Sequence, residues 1–334
     1  SELAIMKGRV DGLEARVNGI EAGTFSETTT MKGKAQFLVG AGDNNTGDEE
    51  ALMMHYHYEV DFNTSFTGDD KLNIEVAAGN SGDDDYTVAA ITGFGEDQKA
   101  LTIEDVNYSF PLGGFDVGVG VSYDASKKWP NACSYSQIVD KMDDCGAKNS
   151  VDLGGDTSIS VGYDFDNGWE AGFGLSAEDA EKTKGAFTKE GADHYGAALG
   201  YSNDTYGFTV AYSNKEDKDN NAVNTAYYGL TAYWSPESMG TLSGGIELGN
   251  PEGSDKDTTQ WLVGYTTDLG EGEFQIGIGT NGSVTDGANT QYAYEVGYTL
   301  PINDSTKITP FAYIAEVDGK DDTSGIGVVT TFKF

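Results

Sequence analysis

The sequence is poor in several residue types, and each shortage excludes a class of protein. Only 6 of its 334 residues are proline and 2 are cysteine, and basic residues number 20 against 55 acidic ones. No run approaches the roughly 18 apolar residues that a membrane-spanning helix needs, so a helical membrane protein is excluded. The net charge is −35, and both arginines, Arg9 and Arg16, lie near the start. Nucleic acid is therefore excluded as a partner, because phosphate binding needs clustered lysine and arginine.

Glycine and aromatic residues are abundant instead, with 46 Gly, 19 Tyr and 15 Phe. From Ser26 onward, apolar residues alternate with polar or small ones. In the closing segment, the even positions from Ile326 to Phe334 are mostly apolar, and the odd positions from Gly325 to Lys333 are smaller or more polar. A two-residue period is typical of a strand with two different faces. Such strands suit a membrane barrel with a wet interior.

Sixteen strands follow from this period. We expect them to begin near Thr30, Leu52, Lys71, Leu101, Phe115, Thr157, Gly168, His194, Tyr206, Val223, Thr241, Thr259, Glu273, Gln291, Lys307 and Gly325. Short turns alternate with longer acidic loops, and aromatic residues flank the short turns, as at a lipid boundary. The sequence therefore predicts an all-β fold, a 16-stranded antiparallel transmembrane β-barrel over residues 25–334 in the cell outer membrane. Both ends of such a barrel lie on the side of the short turns.

Residues 1–24 follow a different pattern. Apolar residues recur at alternating spacings of three and four, at Leu3, Met6, Val10, Leu13, Val17 and Ile20. This heptad seam predicts a short coiled-coil helix on the periplasmic side of the barrel. Three heptads are marginally stable alone, so the coiled coil needs an oligomer held together elsewhere. A single amphipathic helix lying on another surface is the alternative.

Two segments carry a family resemblance. Arg9–Val17 reads RVDGLEARV and Gly19–Gly33 reads GIEAGTFSETTTMKG, and a Gly- and Tyr-rich chain ending in Phe follows them. This arrangement resembles the cyanobacterial outer-membrane porins, whose barrel is similar to carbohydrate-type porins. The resemblance implies a homotrimeric passive channel in outer-membrane lipid for small hydrophilic solutes and inorganic ions, with iron uptake suggested for some relatives.

In that family an S-layer-homology domain precedes the helix and binds a peptidoglycan-linked polymer. This domain is missing from the present sequence. An alternative function is therefore a structural tether between outer membrane and cell wall, with a largely closed barrel. The number of strands separates the two functions, because about eight strands give a filled interior and about sixteen leave an aqueous channel.

The strand register predicts which polar side chains line the pore. They are Lys32, Lys34, His55, His57, Glu59, Asp61, Glu75, Asp105, Asp116, Asp124, Asp164, Glu170, Glu247, Glu273 and Glu295. Acids dominate this set, and Lys333 adds one more inward cation. Carboxylates concentrate cations and repel anions, an effect that salt screens over about 8 Å at physiological ionic strength. We therefore expect a preference for cations that fades as the salt concentration rises.

The third long connection, residues 125–151, contains both cysteines. Cys133 and Cys145 are twelve positions apart, and we expect them to form a disulfide in an oxidising compartment. By resemblance to porins whose third loop folds into the lumen, this loop is the candidate constriction. The charged residues expected at the narrowing are Lys127, Lys128, Asp140, Lys141, Asp143 and Asp144. A stapled loop that stays outside as a cap is the alternative.

The sequence shows no catalytic constellation, so we expect no enzyme. His55 and His57 share a strand face but have no thiolate partner near them, and His194 stands apart. We therefore expect neither a metal centre nor a cofactor. The acidic run Asp83–Asp85 and the pair Asp217 and Asp219 leave two interpretations open, a solvated loop and loose binding of Ca²⁺ or Mg²⁺.

Overall fold

The computed structural model describes residues 28–43, 52–80, 100–178, 191–217 and 223–334, together with positions 180, 183, 185, 186 and 188. The helix expected in residues 1–24 lies outside the described residues. The same is true of the acidic run Asp83–Asp85 and of Asp219, whereas Asp217 is described.

The described chain is almost entirely β-strand. Its strands are β1 (Thr29–Asp43), β2 (Met53–Thr64), β3 (Lys71–Gly79), β4 (Thr102–Leu112), β5 (Phe115–Val121), β6 (Thr157–Asp164), β7 (Trp169–Ala177), β8 (Asp193–Ser202), β9 (Tyr206–Asp217), β10 (Val223–Trp234), β11 (Thr241–Pro251), β12 (Thr258–Leu269), β13 (Gly272–Thr280), β14 (Val284–Thr285), β15 (Tyr292–Asn303), β16 (Thr306–Ala315) and β17 (Thr323–Lys333). Sixteen of these are long, and β14 has only two residues.

The long strands form one closed antiparallel barrel. Each pairs with its neighbours along the chain, β13 pairs with β15, and β14 adds a short ladder to β12. The barrel closes where β17 pairs with β1, with Lys34 opposite Lys333 and Asp43 opposite Ser324. The prediction of a 16-stranded antiparallel barrel is therefore confirmed, and a barrel of this size leaves room for a channel.

Both ends of the barrel lie at its short-turn edge. Thr29, at the start of β1, is opposite Thr64, which precedes the turn into β3. At the other end, the Lys333 amide donates to the Ser305 carbonyl oxygen, and the Phe334 amide donates to Gly33. The strand pattern had predicted this arrangement.

The two faces of the wall differ as an outer-membrane barrel requires. Outward side chains such as Phe173, Leu199 and Val210 are 46–54% exposed. Inward side chains such as Thr209 and Thr231 are polar and at most 1% exposed. Polar residues are buried inside because a second layer of chain covers them.

That second layer is the connection between β5 and β6, residues 122–156, which we name the inserted loop. It contains a 3-10 helix, Asp140–Met142, and two single helical turns, Asp143–Gly146 and Lys148–Val151. A disulfide joins Cys133 to Cys145, which confirms the predicted pairing. In the described part of the chain, no helix has the length and apolar character needed to cross a membrane.

Candidate pore and its inserted loop

The inserted loop lies against the inside of the barrel. Inward side chains on strands from β6 to β13 bond to its backbone at 2.6–3.2 Å: Ser160, Ser213, Lys215, Thr231, Ser243, Gln260 and Gln275. These partners satisfy loop amides and carbonyls that would otherwise be buried without hydrogen bonds. The loop is therefore inside the lumen, and the alternative of an outer cap is wrong.

Glu295 on β15 is the strongest single anchor of the loop. Its carboxylate accepts hydrogen bonds from the amides of Ile138 and Val139 and from the Tyr135 hydroxyl, at 2.7–3.0 Å. The residue is 3% exposed. Hydrogen bonds to an ionised acceptor are about twice as strong as neutral ones, so Glu295 holds this stretch of the loop on the wall.

Glu247 on β11 plays the same part farther along the loop. It accepts from the Ser150 amide at 2.7 Å and from the Asn149 side chain at 2.9 Å, and it is 2% exposed. The sequence predicted Glu247 and Glu295 as pore-lining residues. The structure corrects the prediction that they line the pore. Both side chains face inward, but the inserted loop covers them, so they contact the loop and not the solvent of the lumen.

Glycines on the inner wall make room for the loop. A Cβ added at any of the following would collide with loop atoms: Gly162, Gly172, Gly174, Gly196, Gly200, Gly229, Gly245, Gly264 and Gly277. For example, a Cβ at Gly200 would lie 2.6 Å from the Pro130 side chain, and one at Gly277 would lie 2.7 Å from the Tyr135 hydroxyl oxygen. Nine of the 46 glycines are thus explained by close approach of two layers of chain.

Apolar packing adds to the hydrogen bonds. One buried cluster joins the loop to β1, β12, β15 and β16, and its members are Leu38, Tyr135, Ile138, Val139, Met142, Cys145, Leu262, Ala293, Phe311, Tyr313 and Ala315. A second cluster includes Trp129 and Leu153 from the loop and Ala198 and Ala211 from the wall. The loop is therefore a packed part of the fold.

The inner faces of β2, β3 and β4 carry three carboxylates that are only partly buried. Asp61 on β2 is opposite Glu75 on β3, and Glu75 is opposite Asp105 on β4. Directly opposed residues point to the same face of a sheet, so these three carboxylates form one row, which we name the acidic row. Glu59 lies two residues before Asp61 and is bonded to Lys34, with 2.6 Å between Nζ and Oε2.

The other predicted lining residues are spread over the wall. Lys32 is opposite Asp61, and Asp164 is opposite Glu170 near the short-turn edge. Glu273 is exposed on β13 near the same edge. None of these four is buried under the loop, whereas His55 and His57 face inward and are buried.

Asp124 and Asp116 lie where the wall meets the loop. β5 ends at Val121, earlier than the alternation predicted, so Asp124 belongs to the loop, where its carboxylate accepts from the Ser126 amide at 2.7 Å. Burial, and then the neighbouring charge of Asp152, raises the pKa of Asp124. Asp116 remains on β5 and forms an ion pair with Lys128 of the loop, at 2.7 Å.

The charged residues expected at the narrowing fall into two groups. Lys127 is exposed, and Lys141 is exposed while its carbonyl oxygen accepts from Gln260. Asp140 and Asp143 lie within 3.7 Å and 3.5 Å of the Lys148 ammonium nitrogen. Lys148 was not predicted from the sequence.

Asp144 accepts a hydrogen bond from the Asn131 side chain at 2.9 Å. Burial, followed by the charges of Asp143 and Asp152, raises the pKa of Asp144 to about 7. Burial also raises the pKa of Asp143, against the attraction of Lys148. This end of the loop therefore holds acids that are harder to ionise than ordinary surface carboxylates.

Sequence reasoning missed three inward lysines. Lys71 is opposite Ser109 on β4, and Lys307 is opposite Thr331 on β17, and both partners are buried inward residues. Lys215 donates to the Asp152 carbonyl oxygen at 2.8 Å and so helps to hold the loop. The two-residue period already contained the signal, because each lysine shares the parity of the inward positions on its strand.

Comparison with known proteins agrees with this architecture. The family model for OprB, carbohydrate-selective porins, matches residues 1–271. The chain belongs to this family. A stretch of 82 residues is 45% identical to an uncharacterized protein of the cyanobacterium Nostoc sp.; it covers 24% of this chain and 14% of the Nostoc protein, so the chain spans only a small part of that relative. The predicted resemblance to porins is confirmed.

Solved structures share the fold of this OprB-family chain. An anion-selective porin from Comamonas acidovorans aligns with a TM-score of 0.65 at 13% identity, covering 92% of this chain and 99% of that porin. A loop-deletion variant of OmpT, an outer membrane protein of Vibrio cholerae, aligns at 0.64 and 10% identity, covering 92% and 100%. Identities this low show the fold alone. Family and fold together place the chain in the outer membrane and point to a non-enzymatic protein.

Proposed function

We propose that this OprB-family chain is a passive diffusion channel for small hydrophilic solutes and inorganic ions, that it works as a homotrimer, and that it prefers cations. The observation that carries the preference is the acidic row of Asp61, Glu75 and Asp105, three aligned and only partly buried carboxylates on the inner wall. The porin fold of its neighbours supports the trimer.

The charges around the acidic row favour cations. Glu59 is balanced by Lys34, and Asp116 is balanced by Lys128, each within 2.7 Å. Among the described residues, by contrast, no lysine forms an ion pair with Asp61, Glu75 or Asp105. Three adjacent carboxylates without a paired cation attract mobile cations from solution, because field lines concentrate in a narrow wet passage with low-dielectric walls.

The inserted loop supplies the narrowing that lets wall charges act on the whole passage. It is hydrogen-bonded to the inner wall from β6 to β15, and the acidic row lies outside that arc, on β2, β3 and β4. An ion crossing a passage narrower than about twice the 8 Å screening length feels the acidic row throughout. Lys307 on β16 and Lys333 on β17 are exposed near the short-turn edge. Their positive charge acts against the preference for cations.

Planar-bilayer recording tests the proposal. A tenfold KCl gradient across a bilayer holding the purified trimer should give a cation-signed reversal potential, and this potential should shrink when both solutions are raised to molar salt. An anion-signed potential would show that the lysines set the selectivity. A folded, inserted protein that passes no current would contradict the channel and favour the structural tether.

A further inference from the structure

A long groove crosses the lipid-facing side of the barrel wall. Its volume is about 1040 Å³, just above the roughly 300–1,000 Å³ that is typical of ligand clefts. Outward side chains such as Val263, Ile276 and Ile314 line it, and they are 44–49% exposed. The groove therefore lies outside the barrel, on a face that the channel does not use.

The strand pairing shows how the groove runs. One row of directly opposed residues extends from Leu242 on β11, across β12, β13, β15, β16 and β17, to Ala41 on β1. A second row, two residues nearer the long loops, extends from Val263 on β12 to Asp43 on β1. All members of both rows line the groove. Seven neighbouring strands set about 4.8 Å apart give it a length of about 29 Å.

The groove is inclined to the membrane. Strands of such barrels tilt by about 35–45°, and a row of paired residues is perpendicular to its strands. Leu242 is the second residue of β11, next to a short turn, whereas Asp43 is the last residue of β1, at the long-loop edge. The groove therefore climbs from the short-turn edge of the wall to the long-loop edge.

Aromatic side chains form ridges on both sides of the groove. On the long-loop side, Trp261 and Tyr292 are the next outward residues of β12 and β15, and their ring centroids are 6.2 Å apart. On the short-turn side, Phe274 and Tyr298 are directly opposed on β13 and β15. The rows between the ridges include short side chains such as Ala312 on β16. Tall ridges beside short side chains explain a depression in a wall that is otherwise convex.

An acyl chain is the occupant that suits this shape. The groove is continuous with the lipid-facing surface of an outer-membrane barrel, so lipid tails reach it directly. Because lipid tails are as apolar as leucine side chains, packing decides where a tail stays. A groove contacts a tail on three sides, and a flexible tail can follow an inclined path. A second barrel is itself convex, so it would touch the ridges and leave the groove unfilled.

We infer that this groove binds an acyl chain of a zwitterionic phospholipid and retains it when the protein leaves the membrane. The described residues that line it include two carboxylates, Asp43 and Glu295, and no lysine or arginine. This lining does not attract a headgroup with several phosphates, whereas a zwitterionic headgroup has no net charge to be repelled. The inference concerns the outer face of the wall, so it is independent of the proposed channel activity.

Native mass spectrometry tests the groove, with phosphatidylethanolamine as the probe. The folded protein is mixed with this lipid in detergent and then washed with detergent alone, and it should keep one lipid molecule per chain. Ala312→Phe and Ala41→Phe should each reduce the retained lipid at least about fivefold, because the added ring takes the place of the acyl chain. Ala197→Phe is the matched control, since Ala197 is outward and exposed on β8, which does not line the groove, and it should retain lipid as the parent does.

Four results would overturn the inference. A parent protein that keeps no lipid, or groove variants that keep as much as Ala197→Phe, would show that the groove binds no acyl chain. Preferential retention of lipid A from an equal mixture with phosphatidylethanolamine would assign the groove to a phosphate-rich lipid. Dissociation of the oligomer in both groove variants and not in Ala197→Phe would assign it to a second copy of the chain. A gel shift on heating checks folding, and either groove variant alone suffices because they lie on different strands.

Discussion

Single residues determine how the inserted loop fits into the barrel. Asp144, Cys145 and Gly146 have consecutive positive φ angles, and Gly146 packs directly on the backbone of β12. A Cβ at Gly146 would lie 2.5 Å from the Trp261 carbonyl carbon and 2.6 Å from the Leu262 nitrogen. The sequence gives no sign of this contact, because it depends on which strand the loop meets.

Gly146→Ala should therefore loosen the loop. Both the left-handed φ and the collision with β12 act against alanine, and overpacking of this kind costs about 1–3 kcal/mol. Gly154→Ala is the control, because Gly154 is in the same loop at φ 65° with nothing within 4 Å of its Cβ position. Single-channel recordings should show noisier, larger currents for Gly146→Ala only. Equal behaviour of the two variants would disprove the close contact.

Asp70 fixes the short turn between β2 and β3. Its carboxylate accepts from the Tyr108 hydroxyl at 2.6 Å, the Thr67 amide at 2.8 Å, and the Ser65 hydroxyl and Phe66 amide at 2.9 Å. These donors, the Tyr108 hydroxyl first and then the Thr67 amide, hold the pKa of Asp70 well below its usual range. The turn thus depends on an ionised side chain.

A pKa depressed by folding gives a definite pH dependence. The unfolded carboxyl has a pKa of about 3.9, so the stabilisation by Asp70 is complete above that pH and is lost as the pH falls toward the lower folded value. Asp70→Asn should lower the unfolding temperature at pH 7, and the gap to the parent should narrow at pH 2. Asp69→Asn, its exposed neighbour, should match the parent at both. A difference in unfolding temperature between Asp70→Asn and the parent that stays constant with pH would show that the ionised form of Asp70 does not stabilise the turn.

At the scale of elements, the strands were predictable and the loop was not. Each of the sixteen predicted strand starts lies within two residues of the observed one, from Thr29 on β1 to Thr323 on β17. Alternation gives this accuracy because each strand has a lipid face and an inner face. A shift of one residue would turn the apolar side chains inward, so the pattern determines which positions face the lipid. The loop has no such period, and its position depends on wall glycines and on two carboxylates that look like any other inward acid.

Glu295→Gln tests the anchoring of the loop as an element. A neutral amide offers one acceptor oxygen where the carboxylate offers two, and it turns an N–H group toward the Ile138 and Val139 amides. Loss of hydrogen bonds to a charged group costs about 1.5–3 kcal/mol, so the loop should detach part of the time and the open-channel conductance should rise. Glu273→Gln, on the adjacent strand β13 but exposed, should leave conductance unchanged. Parent-like currents in Glu295→Gln would show that packing alone holds the loop.

On the scale of the whole molecule, the barrel is a wall of sixteen long strands with a loop fixed over one part of its interior. The sequence predicted the wall, its closure and most of its inward positions, although Lys71, Lys215 and Lys307 were left out. It did not predict which inward acids reach solvent, because that depends on the loop. The loop covers Glu247 and Glu295, while Asp61, Glu75 and Asp105 are only partly buried. In the proposed channel, selectivity therefore depends on where the loop lies as well as on the total charge.

The measurement that tests this account most directly compares two sets of charge-removing substitutions. One triple variant carries Asp61→Asn, Glu75→Gln and Asp105→Asn, and the control triple carries Asp164→Asn, Glu170→Gln and Glu273→Gln near the short-turn edge. Reversal potentials are recorded for both in a tenfold KCl gradient. The account predicts that the acidic-row variant loses most of its cation-signed potential and that the control keeps most of it. Equal potentials in the two variants would contradict the claim that the acidic row governs the ions that pass.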